Sequence, residues 1–135
     1  MRPNILRQRL QQGASTLGTH IHTTWPSMVE AIGHTGHYDY VEFVAEYAPF
    51  DLHDLDNLGR AGDLYDLSMM IKVDAEHRAY VAQRAVGSGF HSVLFADVRS
   101  AEDAAECVRC VRADHPDEGG TYGVATRRFT YMGYG

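Results

Sequence analysis

The stretch Leu67-Ser68-Met69-Met70-Ile71-Lys72-Val73-Asp74 decides the fold. Residues 67–73 are mostly apolar, as expected of a strand covered on both faces. Asp74 then reads as the cap of a helix carrying Ala79, Tyr80, Ala82 and Val86, stopped by Gly87 and Gly89. The same strand–helix unit recurs on both sides. Upstream, residues 38–46 form an aromatic and β-branched run ended by Pro49, and Asp51 reads as the cap of a helix bearing Leu52, Leu55, Leu58 and Ala61. Before that, residues 17–23 read as a strand. Thr24 is the expected cap and Pro26 the first-turn residue of a helix through Met28, Val29, Ala31 and Ile32, closed by Gly33 or Gly36. Downstream, residues 91–98 read as a fourth strand, and Ser100 caps a helix over 101–112 with Glu102 and Asp103 at its positive end. A short helix over 4–12, stopped at Gly13, precedes them all.

Strict βα alternation implies an α/β fold with a parallel sheet and right-handed crossovers. No Gly-rich phosphate loop follows the first strand, which argues against a dinucleotide-binding fold. Four βα units after a short N-terminal helix are the first half of a (β/α)8 TIM barrel. Residues 113–135 break the pattern with Gly and aromatic residues. They read as an active-site loop leading to a second half beyond this chain. Residues 1–135 are expected to form one partial barrel domain; because a free half barrel leaves two sheet edges exposed, the chain is expected either to be a portion of something longer or to complete its sheet with a partner.

The composition bounds the partners. With 135 residues, 44% hydrophobic and 22% charged, the chain suits one core. A net charge of −6 argues against nucleic acid. No apolar run reaches the ~20 residues of a membrane span, and no signal core opens the chain, so a cytoplasmic location is expected. Cys107 and Cys110 fall near the C-terminal end of a helix. A reactive pair would favour a helix N-terminus, so these read as small packing residues.

In parallel α/β folds ligands sit at the C-terminal strand ends. The candidates there are His20, His22, Thr23 and Trp25 after the first strand, and Glu46 and Tyr47 after the second. Lys72, Asp74, Glu76 and His77 follow the third, and Asp97 and Arg99 the fourth. Asp74 and Ser100 read as caps alone, and His77 as an exposed first-turn residue. His20 and His22, two apart on a strand, point the same way. They form either a partial metal site or a polar strand end. Lys72 in a core strand needs an anion, either Glu46 from the neighbouring strand or a substrate carboxylate.

In order, Leu17-Gly18-Thr19, Glu46-Tyr47-Ala48-Pro49, Met70-Ile71-Lys72-Val73 and the run from Val93 to Ala104 resemble the HpcH/HpaI-type class II pyruvate aldolases. The likeness covers essentially the whole chain, as the N-terminal half of that family. It implies a lyase that cleaves a hydroxy-oxo acid to pyruvate, or a related 2-oxo acid, and an aldehyde. It also implies a divalent metal, Mg2+ or Mn2+ and otherwise Co2+ or Zn2+, with ligands beyond residue 135, and a homo-oligomer acting on small molecules. Matched to the family pattern, Lys72 stands where an Arg binds the oxo acid, Tyr47 where a His is the acid/base, Val44 where an acid precedes it, and His20 where an aromatic is usual. The resemblance thus points to Lys72, Tyr47, Glu46 and His20 as catalytic residues. Two other readings stand beside it: a metal-dependent hydrolase using His20 and His22, and a non-catalytic relative with a binding or assembly role.

Overall fold

The computed structural model describes residues 3–123. Its elements are α1 (Ile5–Gln11), β1 (Gly18–Ile21), α2 (Pro26–His34), β2 (Tyr40–Val44), α3 (Leu52–Asp63), β3 (Ser68–Val73), α4 (Arg78–Ser88), β4 (Ser92–Phe95) and α5 (Ala101–Val111). The four strands form one parallel sheet in the order β1-β2-β3-β4. The βα alternation read from the sequence is therefore the observed topology. The tail read as an active-site loop is described only as far as residue 123. There Ala113 bridges to Tyr122, which is buried. Residues 124–135 lie outside the described residues.

Alternation along each strand sorts the side chains into two sets. Val41, Phe43 and Ala45, Met69, Ile71 and Val73, and Ile21 pack with Val29, Leu55, Leu58 and Ala85 of the helices in one buried cluster. Burying each large member of this set contributes about 1.5–3 kcal/mol. The opposite face carries His20, Glu42, Val44, Met70, Lys72 and Leu94, and it is only partly covered: Leu94 is 41% exposed. The expectation that β3 is covered on both faces is thus corrected. Its helix-facing residues are buried, while Met70 and Lys72 on the inner face are half-buried.

The strand N-termini are closed by α1. The Asn4 side chain donates to the His91 carbonyl at 3.0 Å, the Leu6 N–H donates to Ser68 Oγ at 3.3 Å, and Leu6 is buried. Ser68 is itself almost fully buried; its hydroxyl accepts from Leu6 N–H and donates to Asn4 Oδ1 at 3.4 Å, which satisfies a group that water does not reach.

The helix starts follow the caps with two corrections. Asp51 and Asp54 form a capping box on α3, and Ser100 Oγ accepts from Asp103 N–H at 3.1 Å on α5. Thr24 does not cap α2; the N-cap is Trp25, and the Thr23 hydroxyl accepts from its N–H. Asp74 does not cap α4. Its carboxylate accepts from the Glu76 and His77 N–H groups, each at 2.9 Å, in the turn that leads to an N-cap at exposed His77. The same side-chain chemistry is used one turn early, because Asp closes an Asx turn as readily as a helix end. Cys107 and Cys110 are free and buried, as packing residues should be.

Candidate functional site

With α1 at the strand N-termini, the open end of the sheet is the C-terminal one. In β2 and β3 the register sets Val44 opposite Lys72. A tight turn follows β2, with Ala45 N–H bonded to the Phe43 carbonyl and Tyr47 N–H to the Val44 carbonyl. Glu46 N–H in turn donates to the Lys72 carbonyl at 3.2 Å. This turn folds Glu46 over the neighbouring strand, and Lys72 Nζ lies 2.5 Å from Glu46 Oε2. Tyr47 adds its ring, with Lys72 Nζ 4.8 Å from the centroid.

The Lys72 and Glu46 side chains are 24% and 14% exposed, so the pair sits at the mouth of the sheet and remains within reach of a ligand. The hydrogen bond to Glu46 raises the Lys72 pKa above its ordinary value of 10.5; burial opposes the shift, and the charge of Glu46 and the hydroxyl of Tyr47 reinforce it. Lys72 is therefore a fixed cation. A lysine that attacks a carbonyl must be a neutral amine with a lowered pKa, so Lys72 is suited to holding negative charge and unsuited to forming a Schiff base. Its ammonium has three donors; Glu46 takes one, leaving capacity for a carboxylate or an enolate oxygen.

His20 and His22 do point the same way: their rings stack with centroids 5.3 Å apart and planes 23° apart. Among the described residues no group of three or more His, Cys, Asp or Glu side chains could hold a metal ion. These residues do not fit a divalent cation by themselves, and His20 and His22 meet no third ligand there. At the ends of β3 and β4 a cleft of about 630 Å³ is lined by Glu76, Arg78, Asp97, Arg99, Ser100 and Asp103. Arg78 pairs with Asp103, whose other oxygen accepts from the Arg99 N–H at 3.0 Å. Asp97 takes a left-handed backbone, φ 54°, at the turn out of β4. The structure thus brings Lys72, Glu46 and Tyr47 into one cluster and His20 and His22 into a second. Asp97 and Arg99 lie in the cleft, and His77 and Trp25 are exposed to solvent.

One residue escaped the reading of strand ends. Glu42 lies inside β2, half-buried on the inner face and directly opposite His20. Its signal was the even-numbered alternation Tyr40, Glu42, Val44, which places a carboxylate where the helix-facing positions are apolar.

A parallel α/β half barrel with a lysine–glutamate pair at its open end defines the class: the N-terminal half of a TIM-barrel-like fold. Solved structures give the nearer likeness. The chain is 31% identical to an HpcH/HpaI aldolase/citrate lyase family protein from Burkholderia cenocepacia J2315, over 91% of this chain and 49% of that one, with a TM-score of 0.76. It is 26% identical to the HpcH/HpaI aldolase from Desulfitobacterium hafniense DCB-2, over 94% and 48%, with a TM-score of 0.79. The citrate synthase SbnG shares the fold at 23% identity and a TM-score of 0.78, over 90% and 47%. The chain spans about half the length of these structures, and what it resembles is the N-terminal half of HpcH/HpaI aldolase/citrate lyase family proteins. No protein-family model and no curated protein matches the chain.

Proposed function

We propose that these residues provide the oxo-acid-binding side of a carbon–carbon lyase, which cleaves a hydroxy-oxo acid to pyruvate or a related 2-oxo acid and an aldehyde. The observation that carries this reading is the Lys72 ammonium. It is held charged by Glu46 at the open end of a sheet shared with HpcH/HpaI aldolases. When the bond breaks, negative charge develops on the enolate oxygen of the 2-oxo acid. A preplaced cation that meets this charge stabilises the transition state more than the ground state. Glu46 keeps Lys72 charged and aimed, and Tyr47 covers one side of the ammonium. The polar cleft by Arg99 would take the aldehyde half.

A divalent cation supplies Lewis-acid chemistry in such enzymes; in the complete protein its ligands would lie outside residues 3–123. Small-molecule substrates, a homo-oligomeric assembly and a cytoplasmic site of action belong to the same proposal. Among the described residues no helix is long and apolar enough to cross a membrane.

The test is a retro-aldol assay on the complete protein with Mg2+ or Mn2+, with pyruvate release read by a coupled reaction. Lys72→Ala should abolish turnover of hydroxy-oxo acids that the unaltered protein cleaves; unchanged turnover would refute the assignment. A second reading is favoured by Tyr47 and Val44, which leave the end of β2 without an imidazole and a second acid. In that reading the protein binds a 2-oxo acid without cleaving it. Saturable binding of pyruvate with no turnover in the same assay would select it.

A further inference from the structure

We infer that the groove between α2 and α3 is an interface between two copies of this chain, related by a twofold axis and joined by two reciprocal Glu30–Arg60 pairs. The groove lies in the helix layer, on the side of the sheet away from Lys72, and its role is independent of the lyase reading.

Helices α2 and α3 pack side by side, so closely at one point that a Cβ on Gly33 would meet Tyr65 Cβ and Cγ at 2.6 Å. The two helices leave a groove of about 280 Å³, lined by Pro26 and Glu30 of α2, by Asn57, Arg60 and Ala61 of α3, and by Leu64 just after it. Leu64 is 68% exposed, although it is a large apolar side chain beside buried Ala61. Glu30 is half-buried and Arg60 exposed, and neither makes an ion pair among the described residues. Arg60 donates to Asn57 Oδ1 at 3.5 Å. An anion and a cation thus line one groove without neutralising each other within the chain.

A second copy of the chain supplies both missing charges. The two helices return from strands of one parallel sheet, so they run the same way. Pro26 at the start of α2 and Leu64 at the end of α3 therefore stand at opposite ends of the groove. A twofold axis through its middle exchanges both ends and both walls. Glu30 of each copy then faces Arg60 of the other, and Leu64 of each meets Pro26 of the other, apolar against apolar. An unrelated partner would need the inverse charge pattern; a copy of this chain already carries it. The helices rise about 14 and 18 Å and stand about 10 Å apart, a face of a few hundred Å² and small for a specific interface. The pair is therefore weak and concentration-dependent, with the charges fixing its orientation.

The experiment is sedimentation velocity on the complete protein from roughly 1 to 100 µM, with circular dichroism to confirm folding. The parent should form an assembly whose mass halves on dilution, and added salt should weaken it. Glu30→Arg and Arg60→Glu each set like charges against one another and should raise the dissociation constant about 10–100-fold. An equal mixture of the two variants should regain the parental constant, because each altered wall then meets the opposite charge on the other copy. The double variant Glu30→Arg/Arg60→Glu should associate with itself for the same reason. A parent that stays monomeric, single variants that associate as the parent does, or single variants that dissociate and are not restored by mixing would each overturn the inference. The readout is mass and involves no turnover, so failure of the lyase reading and failure of this interface are separately visible.

Discussion

Replacing Gly59 by Ala adds one methyl group near the middle of α3, where two effects of opposite sign compete. In a helix interior Ala is favoured over Gly by about 1 kcal/mol. At this position the new Cβ would sit 2.0 Å from the Ser88 carbonyl oxygen and 2.9 Å from its carbonyl carbon. Neither atom can rotate away. Relief requires α3 to move more than 1 Å from the end of α4, next to the left-handed Gly89 turn with φ 112°. That movement loosens Leu55, Leu58, Ala85 and Phe90, each at most 1% exposed. Overpacking of this kind costs about 1–3 kcal/mol, and more where backbone must shift, so it outweighs the propensity gain. The net expectation is a loss of about 1–2 kcal/mol and a fall in Tm of roughly 3–8 °C. Gly62→Ala in the same helix is the control. Its Cβ meets Met69 Cγ at 2.4 Å and Sδ at 2.8 Å, a flexible thioether side chain that can give way. The assay is thermal and urea unfolding followed by circular dichroism. A Gly59→Ala protein as stable as the parent, or more stable than Gly62→Ala, would refute the argument that the α3–α4 contact is limited by backbone.

Lys72→Met should weaken pyruvate binding by about 10–100-fold, and Lys72→Arg should restore part of it, because a carboxylate loses a charge-assisted hydrogen bond in the first and keeps a cation in the second; titration calorimetry reads both. The Lys72 pKa is raised above 10.5, mainly by Glu46, so its pairing stabilises the fold below the unfolded value and is lost as pH rises through the folded one. Unfolding midpoints should therefore fall above about pH 10.5 in the parent by more than in Lys72→Met; parallel pH curves would contradict the pairing. The Cys110 thiol is pushed up in pKa, first by burial and then by Cys107 and Glu106, so both cysteines should resist a thiol reagent at neutral pH until urea exposes them. Fast labelling of the folded protein would show that α5 does not hold them as described.

The fold was legible because each strand–helix unit carries its own punctuation. Asp51 and Ser100 cap the helices they precede, and Gly89 ends α4 in the left-handed conformation that favours glycine. The lysine–glutamate pair was legible because an ammonium within Ser68–Val73 needs an anion and adjacent strands offer Glu46. Two things were not. Asp74 has the chemistry of a cap, and only the backbone conformation decides whether its carboxylate closes a turn or a helix. Glu42 was hidden because reading a site from strand ends alone passes over the strand interior. Its significance depends on the register with His20, which is a long-range property that no local pattern fixes.

The same register makes chemistry and stability separable in this molecule. Helix-facing residues Val41, Phe43, Met69, Ile71 and Val73 are buried to 1% exposure or less, and removing one of these large side chains leaves a cavity that costs several kcal/mol. Inner-face residues alternate with them one position away: Glu42, Lys72 and, on the neighbouring strand, exposed His20. Their side chains stand outside the helix-packed cluster, so changing one removes charge or an imidazole and leaves the packed core in place. A slip of one residue in any strand would exchange the two sets, placing Lys72 against the buried faces of α3 and α4 at a prohibitive desolvation cost. The apolar set therefore holds the register, and the register holds Lys72 beside Glu46 and His20 opposite Glu42. Variants at Glu42 and His20 should fold with near-parental midpoints, and a Lys72 variant should lose no more than its pairing with Glu46, so a loss of binding can then be read as chemistry. Collapse of the fold in any of the three would show that the inner face carries packing energy this arrangement does not account for.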